Sequence, residues 1–392
     1  MMGKRLMAFV TAFFLLFGLA GPVSAQEYTG SVSAKAAVLI EATTGRVLYA
    51  KNAESKLPMA STTKVMSALL TLEQPDLDKY FVVDPNAIKV EGSSMGLVEG
   101  DQVTLRALAY GMLLPSGNDA ANAAAVRIGG TIENFIGMMN DRAKLLGLEN
   151  THFVTPSGLH DDNHYSTAKD MAMLARAALK NPDFLAICSS NNAQLEFGNP
   201  PYKRWLKNSN KMLQSYDGAI GVKTGFTDEA GRCLISAARR DGVTLICVTL
   251  NDPNDWQDTA NLFDYGFTQV SAKEIPKTVA GEKTVRVTGG RQKECKVELY
   301  GAATTVADPS KLTVQYHLDR FYYAPVRAGD LLGRVDYLYE GEIIASQQLM
   351  ASENVERQVE PAETEGGFSG FLQSIGRAFN AIIEFLQSFG QE

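Results

Sequence analysis

The spacing of apolar residues changes along the chain, and each spacing predicts a different element. Residues 36–50 (AAVLIEATTGRVLYA) form two short apolar runs about a turn at Thr44 and Gly45, which is typical of a β-hairpin. Residues 61–70 (STTKVMSALL) place apolar side chains three and four positions apart, as on one face of a helix. The same criteria predict further helices over 104–113, 118–128, 131–146, from Thr167 onward and over 259–267, and a second β-hairpin over 232–250. This order is not a repeating βαβ series, so we expect an α+β domain with a mainly antiparallel sheet.

From about residue 275 apolar and polar residues alternate, which is the period of half-buried strands. The clearest segments are 284–287 (TVRV), 296–299 (KVEL) and 312–315 (LTVQ), separated by Gly and Asp turns. We therefore divide the chain into a first domain over 26–270, a small all-β domain over 275–357 and a polar linker over 358–367.

Residues 368–390 have the pattern of an amphipathic helix. At 100° per residue, the apolar side chains fall within about 60° of one line and the polar side chains take the opposite face. Polar residues recur at every turn, which argues against a helix that spans a membrane. We expect the helix to lie in a membrane interface with its phenylalanines buried. Packing of this helix on its own domain or in a dimer is the alternative.

The N-terminus has the features of an export signal. Lys4 and Arg5 precede an apolar run over 6–20, and Val23-Ser24-Ala25 fits the small-x-small cleavage pattern. The run is shorter than the roughly 20 residues that a bilayer span needs. We expect residues 1–25 to be removed and the mature protein to act at the outer face of the cytoplasmic membrane, as a peripheral protein.

Charge and cysteine usage exclude other classes. The 37 Lys and Arg residues against 44 Asp and Glu residues give a net charge of −7, so nucleic acid is not an expected partner. The cysteines show neither a CxxC motif nor zinc-ligand spacing, and we expect no metal or other cofactor. We interpret them as buried apolar residues, with a structural disulfide as the alternative. They are Cys188, Cys233, Cys247 and Cys295.

Ser61-Thr62-Thr63-Lys64 stands at the start of the first predicted helix. Positions three apart share a helix face, so the Lys64 amine can reach the Ser61 hydroxyl and, with a lowered pKa, accept its proton. The helix N-terminus also offers backbone N–H groups to a developing oxyanion. Alone this pattern is weak, because an exposed serine beside a solvated lysine is common.

Two further motifs make a catalytic role the better interpretation. Ser116-Gly117-Asn118 falls in a turn between two predicted helices, where a hydroxyl and a carboxamide can project into a cleft. Lys223-Thr224-Gly225 lies just before the second hairpin, and a strand glycine leaves room for another backbone to approach. Each motif alone is an ordinary turn or strand end. The order SxxK, SxN, KTG behind an export signal is far more specific.

These motifs carry a family resemblance. PMASTTK, PSGN and GVKTGFTDEAGRC resemble the penicillin-binding, active-site-serine peptidases, and GLHDDNHYSTAKDMA is similar to a segment of the low-molecular-mass D-alanyl-D-alanine carboxypeptidases. The resemblance implies a serine β-lactamase-like catalytic domain, a small β domain and a C-terminal amphipathic helix. It also implies hydrolysis of the terminal D-Ala-D-Ala bond of peptidoglycan stem peptides through a serine acyl-enzyme. Such an enzyme trims wall precursors, limits cross-linking and is inhibited covalently by β-lactams.

The resemblance assigns roles to the matching residues. Ser61 would attack the carbonyl of the penultimate D-alanine, and Lys64 would take its proton. Ser116 and Lys223 would relay a proton to the departing D-alanine, while Asn118 would hold a substrate amide. The other implied contacts are the oxyanion hole, formed by the backbone N–H groups of Ser61 and Phe226, and the substrate-binding segment of Thr224, Gly225, Phe226 and Thr227.

The partner of the substrate carboxylate departs from the family pattern. Many relatives place an arginine shortly after the KTG hairpin, and the corresponding residues 251–256 (NDPNDW) contain none. Arg239 and Arg240 are candidates, but nothing in the sequence orients them. The partner beyond Thr224 therefore stays open at this point.

Other functions compete with this interpretation. His160 and His164, with Asp161 and Asp162, could form a zinc peptidase site, but no HExxH motif is present. A β-lactamase would use the same serine and lysine, but no ExxLN-like segment supplies a deacylating glutamate. A β-lactam sensor would need a cytoplasmic module joined through a membrane span, and the sequence shows neither. Endopeptidase cleavage of cross-bridges at the same serine stays an alternative.

Overall fold

The structure is a computed structural model that describes residues 28–270, 273–274, 283–300, 305–306, 312–339, 341–358 and 366–388. The predicted export signal and most of the predicted linker lie outside the described residues. Contacts divide the chain into two compact units with a boundary between Ile275 and Pro276. Thr305–Val306 belongs to the first unit, because it pairs with Lys273–Glu274.

The first unit is built on a five-stranded antiparallel sheet. The strands up to residue 250, in chain order, are β1 (Ala36–Glu41), β2 (Val47–Lys51), β3 (Phe81–Val82), β4 (Gln102–Val103), β5 (Asn192–Gly198), β6 (Pro201–Lys207), β7 (Ala219–Thr227), β8 (Gly231–Arg240) and β9 (Val243–Leu250). The main sheet has the order β2-β1-β9-β8-β7, and a smaller one has the order β3-β4-β5-β6. Both hairpins predicted from the sequence are confirmed, whereas the β5–β6 hairpin was not predicted.

Helices cover both faces of the main sheet. They are α1 (Lys64–Leu72), α2 (Leu105–Leu113), α3 (Asn118–Gly129), α4 (Ile132–Leu145), α5 (Ala168–Ala178), α6 (Pro182–Cys188), α7 (Met212–Ser215) and α8 (Asp255–Gln269). Alternate residues of β9 enter different cores: Ile246 and Val248 pack with the helical block, while Leu245 and Cys247 pack with α8. A Cβ on Gly266 of α8 would lie 2.7 Å from side-chain atoms of Leu245, so this glycine permits the close approach of helix and sheet.

Threonine caps explain where three helices begin. Thr104, Thr131 and Thr167 precede α2, α4 and α5, and each side-chain oxygen accepts a backbone N–H from the first turn. The closing helix, predicted over 259–267, is longer and starts at Asp255. The helix predicted from residue 61 starts as a 3-10 turn over Ala60–Thr63.

The second unit contains a six-stranded sheet. The later strands of the chain are β10 (Lys273–Glu274), β11 (Lys283–Thr288), β12 (Glu294–Tyr300), β13 (Thr305–Val306), β14 (Leu312–Leu318), β15 (Tyr322–Tyr323), β16 (Leu331–Tyr339) and β17 (Glu342–Ala351). The sheet order is β14-β16-β17-β12-β11-β15, and its core includes Val285, Cys295 and Val355. The three strand segments predicted from the sequence are confirmed.

The C-terminal helix α9 spans Gly366–Ser388. Its large apolar side chains that the structure describes are all exposed, between 41% and 65%: Phe371, Leu372, Ile375, Phe379, Ile382 and Ile383. Across the described ranges, no helix combines the length and hydropathy that crossing a membrane requires.

The four cysteines are buried and free of disulfides. Burial raises the pKa of the Cys188 and Cys247 thiols to about 12. The interpretation as small apolar core residues is therefore confirmed, and the disulfide alternative is wrong.

Candidate active site

Ser61 lies in the 3-10 turn that directly precedes α1. Ala60 adopts a left-handed conformation with a φ of 47°, which non-glycine residues rarely do. The Ala60 carbonyl accepts a hydrogen bond from Thr63 Oγ1 at 2.8 Å. A Cβ on Gly158 would overlap the same carbonyl oxygen, so the backbone at Gly158 packs tightly against the turn. The conformation of the serine turn is thus determined by tertiary packing.

The Lys64 side chain is completely buried and ends at Ser61. Its Nζ lies 2.8 Å from Ser61 Oγ, 2.7 Å from Asn118 Oδ1 and 2.7 Å from the Ser157 carbonyl oxygen. Burial, reinforced by the charge of Lys223, holds the pKa of Lys64 well below its usual range. A lowered pKa favours the neutral amine, which is the form that can act as a base.

The second motif occupies the turn between α2 and α3. Ser116 has a φ of 66° and is buried at the edge of the cleft, where its hydroxyl makes no hydrogen bond to a described residue. Asn118 begins α3, and its Nδ2 donates to the Glu91 carbonyl at 2.7 Å. The carboxamide therefore bridges the Glu91 backbone and Lys64.

The third motif lies on β7, the edge strand of the main sheet. Lys223 is buried, its Nζ donates to the Thr224 carbonyl at 2.8 Å, and burial lowers its pKa to about 7. A Cβ on Gly225 would lie 3.1 Å from Ser61 N and from Met59 O, so the glycine lets β7 lie close to the serine turn. Thr224 Oγ1 is 2.9 Å from Ser209 Oγ.

The three motifs meet at one cleft of about 380 Å³. Its wall includes Ser61, Ser116, Thr224, Gly225 and Phe226. Phe226 is 63% exposed, so a large apolar surface faces an incoming ligand. The buried side chains of Lys64, Asn118 and Lys223 lie behind this wall and are not among the lining residues.

Three residues considered from the sequence lie apart from this cleft. Thr227 Oγ1 accepts from Ala230 N at 3.0 Å in the hairpin turn. Arg239 donates to Thr244, and Arg240 donates to the Asp217 carbonyl. None of the three lines the cleft. Arg239 and Arg232 both lie on β8, and Arg232 is part of the cleft wall. Arg239 lies seven positions further along the strand, which is about 23 Å at the rise of a strand.

His164 is used structurally, which argues against the zinc alternative. Its Nδ1 accepts from Val154 N at 2.9 Å, and its Nε2 lies 2.8 Å from Thr63 Oγ1. Desolvation lowers its pKa to about 4, so the ring is neutral. His160 contacts Asp162 instead. Within the described part of the chain, no group of three or more side chains could hold a metal ion.

Several groups at the cleft carry no clear signal in the sequence. The Ser157 carbonyl that contacts Lys64 could not be predicted, since every residue has a carbonyl. Arg232, Asp255 and Trp256 also line the cleft. Their spacing matches no recognised motif, and the contact between them depends on the tertiary fold.

Comparison with known protein families agrees with this geometry. The family profile described as D-alanyl-D-alanine carboxypeptidase matches residues 22–254, more than half of the chain. The chain belongs to this carboxypeptidase family. The profile of the penicillin-binding protein 5 C-terminal domain matches residues 273–357 of the carboxypeptidase. The family and fold predicted from the motifs are therefore confirmed.

Relatives match nearly the whole carboxypeptidase. It is 32% identical to the D-alanyl-D-alanine carboxypeptidase DacF of Bacillus subtilis, over 87% of this chain and 88% of that protein. It is 33% identical to DacC of Escherichia coli, over 97% of this chain and 96% of that protein. The crystal structure of the Streptomyces K15 DD-transpeptidase matches 62% of this chain and all of its own, with a TM-score of 0.59 and 34% identity. This protein is a serine-type D-Ala-D-Ala carboxypeptidase of the penicillin-binding family.

Proposed function

We propose that Ser61 is the nucleophile of this carboxypeptidase. Ser61 Oγ attacks the carbonyl carbon of the penultimate D-alanine of a peptidoglycan stem peptide, and the terminal D-alanine leaves as its amine nitrogen gains a proton. Water then hydrolyses the ester on Ser61 and restores the hydroxyl. The observation that carries this proposal is the 2.8 Å contact between Ser61 Oγ and the fully buried Nζ of Lys64.

The partners of Lys64 support its role as the base. A neutral amine has two N–H donors and one lone pair. With its N–H groups on Asn118 Oδ1 and the Ser157 carbonyl, the lone pair faces Ser61 Oγ and can accept the serine proton. In this proposal Asn118 orients the base as well as holding a substrate amide.

The oxyanion of the tetrahedral intermediate is proposed to bind the backbone N–H groups of Ser61 and Phe226. Two features support this pairing. Gly225 approaches Ser61 N closely, and β7 lies at an edge of the sheet, so its outer N–H groups have no partner among the described strands. Backbone donors fixed in this way stabilise charge without reorganisation.

The leaving amine is proposed to receive its proton through Ser116 and Lys223. The Ser116 hydroxyl lines the cleft beside Ser61, and burial lowers the pKa of Lys223 to about 7. A group with a pKa near the working pH both gives and takes a proton efficiently. Thr224 is proposed to contact the substrate carboxylate, and Thr227 to support the turn beside it.

The test combines labelling with product analysis. Wild-type protein should be labelled by a fluorescent penicillin and should release one D-alanine per pentapeptide, with no loss on adding EDTA. Ser61→Ala should lose both activities while keeping its unfolding transition. Labelling of the Ser61→Ala protein would refute the assignment of the nucleophile. Cross-bridge cleavage without D-alanine release would favour endopeptidase activity.

We also propose that α9 holds the enzyme at the outer face of the cytoplasmic membrane. An exposed apolar face on an amphipathic helix is suited to the membrane interface. Arg377 and Glu384 are the only charged residues of 368–390 and they cancel, so burial of apolar area must supply most of the binding. Family membership supports export, and the export signal predicted over 1–25 supports it independently.

A further inference from the structure

Arg232 lies on the cleft wall next to the proposed substrate-binding strand. In the β7–β8 ladder Arg232 is opposite Phe226, and Leu234 is opposite Thr224. Residues that are directly opposite share a face of the sheet, and diagonal neighbours lie about 7–8 Å apart, within reach of a long side chain. A ligand that contacts Thr224 is therefore within reach of Arg232.

Asp255 holds the Arg232 guanidinium in one orientation. Asp255 Oδ1 accepts from Arg232 Nε at 3.1 Å and from Nη2 at 2.7 Å, and Oδ2 accepts from Nη2 at 2.9 Å. The Asp255 side chain is 4% exposed, whereas the Arg232 side chain is 42% exposed. The Trp256 ring lies 5.6 Å from Arg232 Cζ. One edge of the guanidinium is thus fixed on a buried carboxylate, while Arg232 lines the cleft and its side chain stays partly exposed.

The unused donors of Arg232 fit a carboxylate. Its Nη1 has no hydrogen bond to any residue the structure describes, and Nη2 carries a second N–H. The cleft wall also includes Lys211. The charged lining residues are therefore two cations, Lys211 and Arg232, and one carboxylate, Asp255. Net positive charge persists where a second carboxylate would bind, and the planar donor fork of arginine suits that ligand better than a point charge does.

The reaction requires a site for such a group. A substrate cleaved at its last peptide bond ends in a carboxylate two atoms beyond the scissile nitrogen, so this group must enter the cleft that contains Ser61. We propose that Arg232, positioned by Asp255, binds the C-terminal carboxylate of the substrate and thereby selects terminal over internal bonds. This inference rests on the proposed function and names the residue that sets its substrate preference.

The experiment compares two thioester substrates that differ only at the carboxylate. Both carry the same acyl-D-alanyl group; the leaving group is thiolactate in one and its carboxamide, thiolactamide, in the other. Hydrolysis releases one thiol per ester bond, so kcat/KM can be measured for both. Arg232→Gln should lower kcat/KM for the thiolactate ester roughly 10- to 100-fold, mainly through KM, and leave the thiolactamide ester within about twofold.

Two further variants separate binding from folding. Arg232→Lys keeps the charge without the fork and should recover part of the lost kcat/KM on the thiolactate ester. Asp255→Asn should raise KM for the thiolactate ester alone, because the guanidinium loses its orientation. Arg239→Gln is the matched control on the same strand, and it should leave both esters unchanged.

The outcomes distinguish this inference from the proposed function. If Arg232→Gln and Arg232→Lys lower kcat/KM equally for both esters, Arg232 has a structural role and the inference is overturned. The inference is also overturned if kcat/KM for the thiolactate ester does not fall in Arg232→Gln. Failure of the wild-type enzyme to release D-alanine or to be labelled by penicillin would instead refute the proposed function, whatever the Arg232 variants do.

Discussion

His164 Nε2 lies 2.8 Å from Thr63 Oγ1, and this contact joins the segment 151–166 to the turn that carries Ser61. The Thr63 hydroxyl donates its hydrogen to the Ala60 carbonyl. Thr63 Oγ1 must therefore be the acceptor in its contact with His164, and His164 Nε2 carries the ring hydrogen. Nδ1 is then the acceptor for Val154 N. A neutral histidine therefore helps to fix the residue just before the nucleophile.

Replacing this histidine should destabilise the fold and slow acylation. His164→Ala leaves the partly buried Val154 N–H without its acceptor and the buried Thr63 hydroxyl without its donor, which should lower the free energy of unfolding by about 1–3 kcal/mol. The rate of penicillin labelling should fall as well, because the Ala60 carbonyl is less well held. Urea unfolding and a labelling time course measure the two effects. The control is His160→Ala, an exposed residue that contacts an exposed aspartate, for which changes should be within about 0.5 kcal/mol.

The same histidine predicts a pH dependence of stability. Its pKa is about 4 in the folded protein and 6.5 in the reference state, so the unfolded chain binds more protons between these values. Stability contributed by neutral His164 is therefore complete above pH 6.5 and is lost as the pH falls towards 4, at up to about 1.4 kcal/mol per pH unit. Urea unfolding at pH 7, 6 and 5 should show the difference between wild type and His164→Ala shrinking with acidity. A constant difference would mean that His164 is not held neutral.

Lys64→Arg should abolish penicillin labelling although it keeps a long nitrogen-bearing side chain at this position. The guanidinium does not lose its proton in proteins, so it cannot accept the proton of Ser61. Labelling is measured at pH 7 and at pH 9. Arginine stays protonated at both values, so raising the pH should not restore labelling of Lys64→Arg. Lys169→Arg, an exposed lysine paired with Glu54, is the control and should be labelled like wild type. Normal labelling of Lys64→Arg would exclude Lys64 as the base.

Removing everything after Glu365 should give an enzyme that leaves the membrane fraction and still releases D-alanine. High salt should not detach the full-length enzyme, because few charges are available on α9. Phe379→Glu places a charge on the apolar face and should weaken vesicle binding. Asn380→Glu adds the same charge one residue later on the polar face and should not. Equal behaviour of the two variants, or release by salt, would contradict interfacial insertion.

The sequence was informative where chemistry needs particular side chains at fixed spacing. Ser61, Lys64, Ser116 and Asn118 were predicted because hydroxyls, amines and amides leave a recognisable pattern, and the structure brings them together. Hydrophobic periodicity likewise predicted the hairpin of β8 and β9, whose apolar residues alternate between two cores.

Other parts of the site depend on contacts between distant residues. The 3-10 turn before α1 was not predicted, because the left-handed Ala60 is held by packing against Gly158. The sequence indicated Arg239 and Arg240, and not Arg232, as candidate partners of the substrate carboxylate. The orientation of Arg232 comes from Asp255, which is 23 residues further along the chain. No local pattern contains such information.

The pairing of β13 with β10 has a consequence for anyone who wishes to separate the two units. The chain leaves the first unit after Ile275, returns for Thr305–Val306 and leaves again. A truncation at Ile275 would remove the partner strand of β10, and a fragment starting at Pro276 would carry β13 with nothing to pair with. Recombination with a relative at a single crossover point would create the same mismatch. Modular exchange of the second unit therefore needs three junctions, after residues 275, 303 and 310, so that β13 stays with its own catalytic domain.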